Sequence, residues 1–150
     1  PSRFAPDDSI TLAEVVKMAA VTHSIYMGDG YVFDQKQGEH WWDTYLTYAV
    51  FSGILSAKDF ADLQQTASRA QMAHVFARAL PETELEALHT NVNIPDVSDS
   101  APYAAEIRLL YQAGVLQGRG TDGRFAPDSN ISRAEAAAII ARVALKTARS

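Results

Sequence analysis

Apolar positions recur along this chain at helical spacing. After Thr11, the positions Val15, Met18, Ala19, Thr22 and Ile25 keep the i, i+3, i+4 rhythm of a buried helix face. A second helical stretch runs from Trp42 to Ser52 and closes at Gly53. A third carries Leu109, Leu110 and Ala113 and closes at Gly114, a left-handed residue just past a helix end; Ser100 is expected to cap its start, with Pro102 in the first turn. Residues 82–89 follow Pro81 and read as a short helix or a linker turn. Nowhere does the pattern alternate as strands do, so the chain reads as all-α.

The pattern also repeats. FAPDDSITLAEVVKMAAV near the start (4–21) and FAPDSNISRAEAAAIIARV near the end (125–143) share one phrase, and SRAQMAHVFARA (68–79) aligns on SRAEAAAIIARV without gaps. Each of these three tail units opens on a capping box: Thr11–Glu14, Ser68–Gln71 and Ser132–Glu135. In that motif the hydroxyl accepts from the third helical N–H, whose Glu or Gln reaches back to the cap N–H. A second phrase, WWDTYLTYAVFSGIL (41–55), matches PYAAEIRLLYQAGVL (102–116) in pattern and supplies two head units. The order is therefore tail, head, tail, head, tail, and the series lacks its leading head. A Gly-, Asp- and Pro-rich loop, QGRGTDGRFAPDSNI, joins the last head to the last tail.

Composition narrows the functional classes. A net charge of −5 argues against a general nucleic-acid or anionic-membrane binder. Without cysteine there are no disulfides, thiolate metal sites or Cys nucleophiles. No apolar run is long enough to span a bilayer. The four histidines are scattered, and the loop from Asp128 fails the EF-hand pattern, with Arg133 where Gly is needed and Ile139 where Glu is needed. Glu39 and Asp43 are an ordinary acidic pair at a helix start, not a glycosidase pair. No phosphate loop, dinucleotide fingerprint or nucleophile elbow occurs, so an enzyme is not expected.

Head helix, Gly-Val-Leu-Gln-Gly, Phe-Ala-Pro-Asp and Ile-Ser-Arg-Ala-Glu together resemble the S-layer homology domain of bacterial cell-surface proteins. The last copy, entered by Ile94-Pro-Asp-Val97, matches over its full length; the middle copy is looser, and the first supplies only its tail half. The resemblance implies three helix-loop-helix repeats packed into one pseudo-threefold, three-pronged unit. The expected divisions are 1–30 for the second half of repeat 1, 39–80 for repeat 2 and 94–150 for repeat 3. It further implies non-covalent anchoring at the cell surface through an anionic, pyruvylated secondary cell-wall polysaccharide, without catalysis, cofactor, metal or membrane insertion, as one part of a larger parent protein. The alternative is a protein–protein module that keeps the fold without binding glycan.

Arg69 and Arg133 are the leading candidates. Each follows its cap at the first helical position, where the helix dipole disfavours a cation. With free backbone N–H groups such an arginine makes an anion site, and its fork can hold a carboxylate through two parallel bonds. The resemblance implicates the same arginine in ligand binding. The plainer reading is a solvated side chain whose stem covers a neighbouring helix. Leu12 stands at the matching place in the first copy and cannot bind an anion, so fewer than three working grooves are expected. Trp41, Trp42 and Tyr103 could stack on sugar rings. For Trp42 and Tyr103 core anchoring is the simpler role, leaving Trp41 as the exposed partner. Gly118 beside Arg119 could let a ligand approach the backbone, while Glu14 and Glu135 read as capping carboxylates.

Overall fold

The computed structural model describes residues 7–118 and 122–150. Five α-helices account for the regular structure, and the described residues form no strand: α1 (Leu12–Met27), α2 (Asp43–Phe51), α3 (Arg69–Phe76), α4 (Ala104–Gln112) and α5 (Arg133–Ala144). Helices α1, α3 and α5 are the tails; α2 and α4 are the heads.

All three capping boxes form, with Glu14, Gln71 and Glu135 N–H donating to Thr11, Ser68 and Ser132 at 3.0–3.2 Å. The segments entering these caps then bond to one another in a closed ring. Ala67 N–H donates to Ile10 O (2.9 Å), Ile131 N–H to Ala67 O (3.0 Å) and Ile10 N–H to Ile131 O (3.4 Å). One step outward the same three pairs of segments bond in the opposite sense: Leu12 N–H donates to Gln65 O, Arg69 N–H to Ser129 O and Arg133 N–H to Asp8 O. Each tail therefore lends its first helical N–H to the next tail in the cycle. Donors orphaned at a helix start are satisfied without water, which lets the three starts meet in a buried hub with Ile10, Leu12, Ala67 and Ile131 almost fully covered.

Around the hub, α2 packs on α1 and α4 packs on α3. The third tail has no such cover among the described residues. Ala134, Ala137 and Ala141 of α5 are exposed, whereas Ala13, Val16 and Ala20 of α1, Ala70 and Ala73 of α3 and Ala77 just past its end, at the same places after their caps, are buried.

Several local expectations change. Ser100 does not cap α4; that helix starts after Tyr103, a left-handed residue with φ 62° and no side-chain cap bond. Pro102 thus lies before the helix, in the turn that aims Tyr103 at its neighbour. Gly53 and Gly114 are left-handed, as expected of residues just past helix ends (φ 81° and 76°). Residues 82–84 form only a single 3₁₀ turn. Ile25 continues the apolar rhythm of α1 but is 75% exposed, because the neighbouring helices cover only the first turns of that face.

A charged clasp also ties α3 to α4. His74 Nε2 lies 2.9 Å from Asp59 and Nδ1 2.7 Å from Glu106, and the ring stacks on Tyr103 at 4.3 Å. Arg78 adds a 3.0 Å bond to the same Glu106 oxygen. An imidazolium can donate to both acids at once, whereas a neutral ring can donate to only one. Burial pushes both carboxyls up, but it is outweighed by the His74 bond, joined at Asp59 by the Ser56 N–H and at Glu106 by Arg78, so both lie below their ordinary range. Depressed acids stabilise the fold above their unfolded pKa values and cease to do so as pH falls through the folded ones. Thermal melts from pH 7 to pH 2 should therefore lose stability below the ordinary carboxylate range. His74→Ala should cost about 2 kcal/mol at neutral pH and flatten that acid limb. An unchanged acid limb in His74→Ala would place the sensitivity elsewhere.

Candidate functional site

The cyclic order that builds the hub also decides what each cap-following side chain meets: the acid of the next tail. Arg133 Nη1 donates to Glu14 Oε2 at 2.8 Å, and Arg69 Nη1 donates to Glu135 Oε2. In the third junction the corresponding residues are Leu12 and Gln71. Arginine and acid of one capping box therefore serve two different junctions.

The two arginine junctions differ in depth. At the second, the Arg69 side chain is only 3% exposed. Its Nε donates to Phe125 O at 2.7 Å, and its guanidinium lies 4.7 Å from the centre of the Phe125 ring. Phe125 is fixed in turn by Asp96, whose two carboxylate oxygens accept Phe125 N–H (2.9 Å) and Ala126 N–H (2.8 Å). This holds Ala126 left-handed at φ 59°. Burial raises the Asp96 carboxyl, but the Phe125 and Ala126 N–H groups bring it below its usual range. A small hollow of about 230 Å³ remains beside Arg69, Gln117, Gly118, Glu135 and Arg142. Gly118 cannot be replaced without a shift, because a Cβ there would collide with the Gly123 carbonyl.

At the first junction, between α5 and α1, the groove is open. About 400 Å³ is lined by Ile10, Glu14, Lys17, Met18, Gln35, Trp41 and Arg133. The Arg133 side chain is 34% exposed and Trp41 is 37% exposed. Trp41 stands edge-on to Trp42 (5.7 Å) and Tyr45 (6.0 Å), and the Lys17 ammonium sits 5.8 Å and 5.5 Å from the centres of Trp41 and Tyr45. Gln35 donates to the Tyr45 hydroxyl at 3.0 Å. Two cations, one acid and an accessible indole face therefore share one cleft. Such a set can stack a sugar ring and hold an anionic substituent.

The remaining candidates fall elsewhere. Trp42 is partly buried and stacks on His40 at 4.4 Å. Tyr103 serves the His74 clasp. Arg119 lies outside the described residues. One expectation is corrected: the helix starts do not supply free N–H groups beside both arginines. The first two donors of α3 go to Ser129 O and Pro127 O, and the first of α5 goes to Asp8 O, because the starts face the hub. The N–H groups so engaged are not available to an anion. Lys17, Gln35 and the second oxygen of Glu14 were not singled out from sequence, since their role depends on which tail is adjacent.

A larger cleft of about 730 Å³ opens between the ends of α2 and α3 and the start of α4, beside His23, Arg78, Glu82, Glu106 and Arg108. Its arginines are engaged, Arg78 with Glu106 and Arg108 with Asp99 at 2.8 Å, and no sequence-identified candidate lines it.

No helix among the described residues is long and apolar enough to cross a membrane. No curated protein matches the chain. The family model for the S-layer homology domain matches residues 93–137, which take in α4, the Asp96-anchored loop and the cap of α5 with Arg133. Domains of this family are in general non-catalytic modules that bind cell-wall polymers and anchor proteins at the cell surface, and residues 93–137 of this chain are similar to them.

Proposed function

We propose that this chain anchors its parent protein to the bacterial cell envelope by binding an anionic, pyruvylated secondary cell-wall polysaccharide in the groove between α5 and α1. Residues 1–30, 39–80 and 94–150 are taken as the three repeats of the module. The observation that carries this reading is the open cleft in which Arg133, Lys17 and Trp41 come together, two cations beside an exposed indole. A pyruvate ketal presents a carboxylate on a sugar ring. Arg133 suits its two oxygens, Lys17 adds charge, and Trp41 offers a stacking face. Arg69 is assigned a supporting role at its own junction, with Gly118 and the neighbouring Arg119.

Isolated cell walls should pull the protein down, and chemical removal of pyruvyl groups should release it. Arg133→Ala should weaken binding about tenfold or more, the order expected for losing one charge-assisted fork. Failure to sediment with untreated walls would sink the anchoring reading. A second reading, a protein-binding module, is favoured by one observation: Arg69 is sealed and Leu12 is fully buried, leaving a single open arginine junction.

A further inference from the structure

Glu14 divides its two oxygens between two tasks. Oε1 accepts from Thr11 N–H (3.0 Å) and from the Thr11 hydroxyl (3.3 Å), closing the cap of α1. Oε2 accepts from Arg133 across the junction. The second tail shows that capping does not need the charge. Gln71 makes the same cap with its amide oxygen 2.9 Å from Ser68 N–H. What a glutamate adds over a glutamine is therefore the hold on the neighbouring guanidinium. The pairing across the junctions agrees: an acid meets Arg133 and Arg69, and a glutamine stands at the matching place of the tail that follows Leu12 in the cycle.

We propose that Glu14 is a built-in competitor for the Arg133 guanidinium, and that a carboxylate-bearing ligand enters this groove by displacing Glu14 Oε2 while Oε1 stays in the cap. This rests on the groove reading given above. The exchange has a physical direction. Glu14 can give Arg133 only one oxygen, because the other is committed to the cap, whereas a free carboxylate gives two in parallel. Lys17, on the same wall, favours the incoming charge. The internal acid also screens out weak candidates: neutral sugars gain nothing at Arg133, and a lone anion without stacking on Trp41 must repay the broken pair. Burial raises the Glu14 carboxyl, but the Thr11 N–H bond, with the bond and charge of Arg133, brings it below its ordinary range, so the competitor is ionised at neutral pH.

The test uses a methyl glycoside carrying a pyruvate ketal, with its methyl ester as the uncharged probe, titrated by calorimetry into the full chain. Glu14→Gln should bind the acid about two- to five-fold more tightly than wild type, the range expected when one partly exposed ion pair no longer has to be broken. It should bind the ester no differently and show no gain over Arg133→Ala when both changes are combined. Wild-type binding with no gain in Glu14→Gln overturns the competitor and leaves the groove reading standing. Absence of acid binding in both proteins overturns the two together. An equal gain for acid and ester also overturns it. In the unmutated chain, the carboxyl carbon resonance of Glu14 should move on saturation with the acid and stay in place with the ester. If it does not move with bound acid, no exchange occurs, whatever the variant does.

Discussion

Arg69→Ala is expected to lower the unfolding free energy by about 3 kcal/mol, a drop in melting temperature of about 6–12 °C for a chain of this size. The same change at Arg133 should cost less than about 1 kcal/mol. Both residues follow a cap, and both reach the acid of the next tail. Their surroundings separate them. Arg69 is enclosed, covers Phe125 and satisfies the Phe125 carbonyl, so its removal leaves a buried acceptor without that donor and opens a cavity. Arg133 stands at the edge of an open groove, where water replaces its bonds. Wall binding should show the reverse order, strongly reduced in Arg133→Ala and far less reduced in Arg69→Ala, whose role in binding is a supporting one. Thermal melts of the two variants, with pull-down at a temperature where both are folded, decide this. Equal destabilisation would mean that burial does not separate them.

Leu12→Arg should be more damaging still, by about 4 kcal/mol or more, because it places a cation in a fully buried position at the hub. Adding Gln71→Glu should recover part of that loss. The cyclic order makes Gln71 the position facing residue 12, just as Glu135 faces Arg69. The cap of α3 should survive the second change, since Glu14 and Glu135 cap their own helices as carboxylates. The quantity to measure is the coupling energy of the double-mutant cycle from denaturant unfolding. A coupling near zero would show that residues 12 and 71 do not meet, and the cyclic pairing would then fail at its third junction.

The local units were legible in the sequence because their signals are local. Each capping box needs only four consecutive residues, and each head ends where a glycine takes a left-handed turn. Leu12 was likewise readable as a packing residue, since no leucine can serve an anion. Pro102 misled, because proline is equally at home in a first helical turn and in the turn before it.

Residue order alone carries the helical class, the three matching caps and the two arginines that lead the candidates. Partnership was decided by the tertiary structure alone. Arg133 and Glu135 are two residues apart in one motif, yet they face different neighbours, 119 and 66 residues away in the chain. The reason is geometric: successive helix starts bond in a ring, so the arginine that follows a cap reaches across the junction to the acid of the next tail. Burial then made one arginine structural and left the other open, a difference set by Phe125 and Asp96 on one side and Trp41 and Lys17 on the other.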